Sequence, residues 1–412
     1  MTKMVNARQN MKTQHAIPIR WLTLSGTIVT QFALGSVYTW SLFNSPLASK
    51  LHQPVSQVAF VFGLLSLALA VASSLAGKLQ ERFGVRKVTV GAGLLLCLGL
   101  CLTSYADSLL ALWLCAGILV GFADGTGYLL TLSNCVKWFP ERKGVVSACA
   151  IGAYGLGSLG FKYINSQLLS HFSLTTSFQL WGLIVMLMAV AGGLMMQDAP
   201  KAATKKVAAG HDYTLRESVR SPQYWLLALM FVSACMSGLY VIGIAKDIGE
   251  SLVHLSPLEA ANAVTIIAIA NLGGRLVLGV LSDRMTRIRV ITLAQLVSLL
   301  GMSTLLFAHL NQLSFFLSLA CVAFSFGGTI TVYPSLVSDF FGLNNLTKNY
   351  GVIYLGFGIG SIIGSLVASL FGGFMVTFHL ILVLSLISLV ISVALHRPGE
   401  KGRLALQQVT GK

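Results

Sequence analysis

Apolar runs of about twenty residues follow one another along this chain from Trp21 to the region of Arg397, and they leave it one kind of fold. A run of roughly 20 apolar residues is the length of a helix that crosses a bilayer. Inside hydrocarbon every backbone N–H and C=O must be satisfied within the protein, so such runs are read as α-helices. The expected spans are 21–43, 55–77, 87–105, 109–133, 144–168, 177–196, 223–247, 259–282, 289–308, 313–338, 349–371 and 376–396. The expectation is an all-α membrane protein with twelve transmembrane helices and the lipid bilayer as its solvent. Composition agrees: 55% of the 412 residues are hydrophobic and 10% charged, where a soluble domain carries about 25% charged residues.

The net charge of +15 is distributed as short basic clusters between apolar runs. That is the pattern of cytoplasmic loops, not of the continuous basic face that nucleic acid needs. No nucleic-acid partner is expected. With both ends placed inside, 24 of the 28 Lys and Arg fall on the inner side. The exceptions are Lys50 and Lys246 towards the outside, and Lys162 and Arg275 within helices. This asymmetry orients the chain with both termini cytoplasmic. The basic start (Lys3, Arg8, Lys12, Arg20) precedes an apolar run of about 23 residues with no small-residue cleavage site after it, so that run is read as the first span rather than a leader. The seven cysteines lie in or beside apolar runs without metal-ligand spacing and are read as packing residues. No metal, no cofactor and no nucleotide loop is expected, and a single chain, a monomer, is the expected unit.

The chain repeats itself. Gly77-x-x-x-Glu81-Arg82 recurs as Gly279-x-x-x-Asp283-Arg284, and Ser133 with Phe139 recurs as Ser335 with Phe341, both at an offset of 202. Tyr154-Gly-Leu-Gly-Ser158 recurs as Phe357-Gly-Ile-Gly-Ser361 at 203. Three anchors at one offset imply two pseudo-symmetric six-helix bundles in parallel orientation, the arrangement that places a ligand between halves near the midplane. The expected organisation is a tail 1–20, a bundle 21–196, a polar linker 197–222, a bundle 223–396 and a tail 397–412.

The segment GKLQERFGVRK and its copy GVLSDRMTRIR resemble the loop signature of the major facilitator superfamily. The resemblance implies the major facilitator fold and a gating role for Gly77, Glu81, Arg82, Gly279, Asp283 and Arg284, whose charges pair in one state and separate in another. GSVYTWSLF, KWFPERKG, NLGGRLVLGVLSD and NYGVIYLGFGIG further resemble the oxalate/formate antiporter family, from Trp21 to about Arg397. That family carries small carboxylates, by anion exchange or with a proton. The resemblance also implies a bacterial inner membrane.

Arg275 is the first candidate for an anion contact. A charge at mid-helix costs about 2.5–3.5 kcal/mol on insertion scales, stays protonated, and grips a carboxylate with two hydrogen bonds. Asn271 lies one turn before it on the same face, and the resemblance matches Arg275 to the family's carboxylate-binding arginine. The family's oxalate carriers place a lysine in the eleventh helix where Phe357 stands here, and a single cation suits a monocarboxylate better than a dianion. Lys162, on one face with Ser158 and Tyr154, is either a second anion contact or a lysine snorkelling to the outer interface. Asp124 is the carboxylate placed well inside a helix. A desolvated carboxylate can take up a proton, so Asp124 is the proton-coupling candidate; the alternative is a static partner to Lys162 or Arg275. Tyr128, Tyr154, Tyr354 and Trp40 are candidates for the pocket, with phenol and indole donors and ring faces for a planar anion. For Trp40 an interfacial belt is the competing reading.

Together these make the chain a secondary transporter, not an enzyme, for a small organic anion. The expectation is a monocarboxylate such as pyruvate moved by alternating access together with a proton. The rivals are an anion exchanger of oxalate/formate type and a membrane receptor that senses a carboxylate without moving it.

Overall fold

The computed structural model describes residues 2–53, 55–200, 212–371, 374–396 and 398, and every regular element among them is helical. The chain divides into two compact units, Met1–Val207 and Ala208–Lys412. The first holds α1 (Thr2–Leu34), α2 (Val55–Phe83), α3 (Val85–Ser104), α4 (Leu109–Trp138), α5 (Lys143–His171) and α6 (Leu174–Met195). The second holds α7 (Pro222–Leu252), α8 (Pro257–Leu281), α9 (Arg287–Phe307), α10 (Gln312–Phe341), α11 (Leu346–Ile353 and Leu355–Phe371) and α12 (Phe374–Ala394). Among the described residues nine helices are long and apolar enough to cross a membrane. In α8 the apolar stretch is the shorter Thr265–Leu281, and α11 is divided at Tyr354 into pieces of 8 and 17 residues.

The two units share most of their helix pairings. In the first, α1 packs on α4, α5 and α6, α2 on α4, and α3 on α4 and α6. In the second, α7 packs on α10, α11 and α12, α8 on α10, and α9 on α10 and α12. Each of these pairings recurs when the helices are shifted by six, which is the structural form of the repeat at 202 residues, and the second unit adds a contact between α7 and α8.

Helix ends follow local chemistry. Ser173 caps α6 by accepting from Thr176 N–H. Ser256 and Glu259 form a reciprocal cap on α8, with Pro257 at the first helical position, where its missing N–H costs nothing. The Ser256 hydrogen bonds hold the Glu259 carboxyl below its usual range. The turn between α2 and α3 runs through Gly84 at φ 79°, a left-handed conformation that glycine takes without strain. α1 begins at Thr2, inside the segment assigned to a tail. α2 continues six residues beyond its expected end, so Glu81 and Arg82 stand in its last turn, whereas Asp283 and Arg284 follow the end of α8 at Leu281.

The outward faces are apolar. Leu94, Leu98 and Leu102 form an exposed i, i+4 stripe on α3, and Val383, Leu386, Ile387, Val390 and Val393 one on α12. Such stripes suit lipid.

Lipid gives helices little hydrophobic reason to associate, so close packing through small residues carries the assembly. A Cβ on Gly35 would lie 1.9 Å from the Tyr154 carbonyl oxygen, and one on Gly157 1.9 Å from the Phe32 oxygen, so the α1 and α5 backbones touch. The α2/α4 crossing is as tight at Gly125 against Leu69, and its repeat partner Gly327 meets Asn271 at the α8/α10 crossing. We expect Gly157→Ala to destabilise the protein by about 1–3 kcal/mol through overpacking, read as a lowered melting temperature in detergent. Gly63→Ala, where a Cβ meets nothing within 4 Å, should leave it unchanged.

Candidate functional site

Within the first unit, the α1/α5 contact fixes where Tyr154 sits. After Leu34 the chain tightens into a 3-10 turn over Gly35–Thr39. This turn is tied to α5 by Asn165 Nδ2 donating to Thr39 Oγ1 (2.7 Å) and to α6 by Trp181 Nε1 donating to Ser36 Oγ (2.9 Å). With α5 held against it, the Tyr154 hydroxyl donates to Asp124 Oδ2 on α4 at 2.8 Å. Asp124 is fully buried, and its Oδ1 has no hydrogen-bond partner among the described residues. Tyr38 and Tyr128 stand edge-on to the Tyr154 ring, with centroids at 5.3 and 5.1 Å. Gln31 holds the α4 backbone here, its Nε2 donating to the Tyr128 carbonyl (2.9 Å) and to Thr131 Oγ1 (3.0 Å). α4 itself opens with a π-helical stretch at Trp113–Val120, wider turns that recur at functional sites.

Asp124, Tyr128 and Tyr154 are thus brought together, joined by Tyr38. Asp124 is partnered by a phenol; among the described residues it makes no ion pair with Lys162, which is exposed on α5. Trp40 is not in this group. It is buried against Phe43 and Phe178, with centroids at 6.3 and 5.9 Å, and its Nε1 has no hydrogen-bond partner among the described residues.

Within the second unit, Arg275 lies on α8 with 5% of its surface exposed. Its Nε donates to Asn271 Oδ1 at 2.7 Å, one turn back. This bond orients the plane of the guanidinium. Tyr354 stands at the break in α11, stacked on Phe357 (5.2 Å, 10° between planes) and beside Phe231 and Tyr350.

The expected gating residues resolve differently in the two copies. Arg82 lies over the Phe83 ring at 5.2 Å, and Glu81 and Arg82 are exposed. What ties the α2–α3 turn is Asp198, just after α6: its carboxylate accepts from Val85 N–H (3.1 Å to each oxygen) and from Gln80 Nε2 (2.9 Å). Gln80 also reaches Asn134 Oδ1 on α4 at 3.1 Å. In the second unit, Arg287 bridges Asp283 (3.1 Å) and Asp339 (2.6 Å). Arg284 is exposed and without a partner among the described residues. Arg287 had a signal, four residues after Asp283 within the copied segment GVLSDRMTRIR, and Asp339 lies inside the repeated Ser335–Phe341 segment. Asp198 had none, since its partners are over a hundred residues away. We expect Arg287→Ala to cost about 2 kcal/mol, the value of a charge-assisted hydrogen-bonded bridge, in a thermal melt, and Arg284→Ala to cost nothing measurable.

With this geometry, the comparisons with known proteins can be set beside the site. The chain matches the Major Facilitator Superfamily over residues 24–249 and 236–409. It is 69% identical over 345 residues to the uncharacterized MFS-type transporter YhjX of Escherichia coli (strain K12), covering 83% of this chain and 86% of that one. It is 27% identical to the oxalate:formate antiporter of Oxalobacter formigenes, covering 83% and 82%. It is 22% identical to monocarboxylate transporter 13 of Rattus norvegicus, covering 83% and 80%. Among solved structures, the proton:xylose symporter XylE bound to 6-bromo-6-deoxy-D-glucose superposes with a TM-score of 0.71 at 13% identity, covering 92% and 95%. The chain belongs to the major facilitator superfamily, with that fold of two six-helix halves, and is a multi-pass membrane transporter rather than an enzyme.

Proposed function

We propose that the protein carries a small monocarboxylate, pyruvate being the first candidate, together with a proton by alternating access across a bacterial inner membrane. The observation that carries this reading is Arg275: a permanently charged side chain, buried on a spanning helix and oriented by Asn271. Nε is taken up by Asn271, so a carboxylate would meet the terminal-nitrogen end of the guanidinium, where two parallel hydrogen bonds form. The relatives named for oxalate, formate and monocarboxylates support an anion of this class. Phe357, in place of a second cation, favours one negative charge over two.

Asp124 is the proton site in this reading. Ionised and buried without a cationic partner among the described residues, it would pay a desolvation cost of several kcal/mol, which a proton removes. Tyr154 is its positioning residue, bonded to Oδ2 and leaving Oδ1 for the proton. Tyr128 and Tyr38 complete the wall, and Tyr354 is assigned to the pocket of the second unit. Lys162 and Trp40 are kept as secondary anion contacts, Asp283 and Arg284 with Gly279, and Glu81 and Arg82 with Gly77, as the gating turns.

The test is uptake of labelled pyruvate into proteoliposomes with and without an inward proton gradient. Wild type should show gradient-stimulated uptake. Arg275→Gln should lose at least about 30-fold, since removing one partner of a buried charge pair costs about 2–5 kcal/mol. Asp124→Asn should keep pyruvate–pyruvate exchange and lose the stimulation by the gradient; Tyr154→Phe should shift the pH at which stimulation is half-maximal while sparing exchange. Uptake only from vesicles preloaded with anion would establish exchange instead. No pyruvate movement by folded protein in either mode would refute the substrate assignment.

A further inference from the structure

A serine or threonine in a spanning helix has an easy partner in the carbonyl three or four residues before it. Thr103, Ser318 and Thr331 use it, at 2.7, 2.7 and 3.0 Å. Several hydroxyls of the second unit do not, Thr329, Ser335 and Ser388 among them, and three more share one cavity. Ser233 on α7, Ser325 on α10 and Ser385 on α12 are 3–5% exposed and make no hydrogen bond to any described residue. The carboxamide of Gln295 on α9 is equally unpartnered, with its Oε1 sealed from solvent. All four line one cavity with Ser298, whose hydroxyl is 3.4 Å from that of Ser237. The remaining lining is Ala234, Val322 and Phe326.

Polar groups in an apolar core are costly unless paired, so five converging on one chamber are a site and not a packing flaw. The first unit shows what the alternative looks like. At the offset of 202, Gln295 corresponds to Gly93, Ser298 to Leu96, Ser325 to Ala123 and Ser233 to Gln31. There the helices close on each other: a Cβ on Gly93 would lie 2.6 Å from the Ala189 Cβ of α6, and Gln31 spends its amide on α4. The second unit keeps the space open and lines it with oxygen.

We propose that this chamber binds one water molecule, held by Gln295 and the hydroxyls of Ser233, Ser298, Ser325 and Ser385, and bridging α7, α9, α10 and α12. Size sets the occupant: the chamber leaves about 10 Å³ for the centre of a water, close to the space one water needs and too little for a carboxylate substrate. Charge excludes the alternative of similar size. The lining holds no carboxylate, and an uncompensated cation in an apolar interior is strongly disfavoured. The donor set fits as well. Water gives two hydrogen bonds and takes two, matching a carboxamide that offers both and hydroxyls that do either. The inference does not depend on the substrate or on proton coupling.

The test is a structure of the full-length protein at a resolution that shows ordered water, paired with melting of the purified protein in sodium, potassium and choline chloride. The expected result is one density peak at hydrogen-bond distance, about 2.7–3.2 Å, from Gln295 and at least two of the serine hydroxyls, with melting temperatures in the three salts agreeing within roughly 2 °C. In Ser385→Val, whose methyl takes up the space, the peak should vanish with the neighbouring side chains unmoved. Gln295 bonded directly to the serines with no peak between them would overturn the proposal. So would a peak at the shorter distances of about 2.3–2.6 Å that hard cations adopt, accompanied by a sodium-selective rise in melting temperature.

Discussion

Backbone contact between helices, made possible by glycine, is the constraint on which the rest of each unit depends. In lipid the side chains of a helix gain little by leaving their solvent, so association rests on dispersion and on hydrogen bonds that need close approach. Gly35 and Gly157 let α1 and α5 meet backbone to backbone. That contact sets the height and rotation of α5, and so delivers the Tyr154 hydroxyl to Asp124 on a third helix. A methyl group at Gly35 would push against the Tyr154 carbonyl itself, so a change made for packing would be felt directly in the polar pair. Chemistry and packing are the same interaction here, seen from the two ends of one residue.

The two units share a scaffold and diverge in what they put on it. The position of Asp124 is Phe326 in the second unit, that of Arg275 is Ser73 in the first, and that of Tyr154 is Phe357. Ser73 spends its hydroxyl on the Gly125 carbonyl, a structural use at the place where the other copy carries its buried cation. Phe357 stacks on Tyr354 where its counterpart holds a carboxylate. Duplication accounts for the common helix pairing, and subsequent substitution separated a half with a buried carboxyl from a half with a buried guanidinium. The contact between α3 and α6 has glycine against alanine at Gly93 and Ala189, while the equivalent one between α9 and α12 carries Gln295, Ser298 and Ser385 beside its apolar residues, and a Thr292–Ser392 bond at 3.0 Å.

The sequence made the number of spans and their pairing into halves legible because both are local or periodic: an apolar run is read where it stands, and an offset of 202 needs only the chain compared with itself. It made Arg275 with Asn271 legible for the same reason, one helical turn. Tyr154 and Asp124 were each singled out, but not their bond, since a separation of 30 residues across two helices has no periodic signature. The Asp198 tie to Val85 and the Arg287 bridge to Asp339 are further instances: the charged residues were visible, and the partners were supplied by tertiary packing. Trp40 was singled out for its indole, with an interfacial belt as the competing reading, and the structure packs it against Phe43 and Phe178, contacts that no local pattern signals.

A membrane interior offers no water to cover a polar atom left without a partner, so the exceptions to hydrogen bonding deserve more weight here than in a soluble core. Most of the polar side chains within these helices are accounted for by a neighbour or by their own backbone. Asp124 Oδ1 and Gln295 Oε1 are among those that are not, and they differ in kind. Asp124 belongs to a bonded pair, its Oδ2 held by the Tyr154 hydroxyl and its Oδ1 without a partner among the described residues. Gln295 lines one small cavity with Ser233, Ser325 and Ser385, whose hydroxyls likewise make no hydrogen bond to a described residue. The same rule of satisfaction therefore separates a bonded carboxylate–phenol pair from a carboxamide among hydroxyls, and it does so from geometry that local sequence pattern alone does not contain.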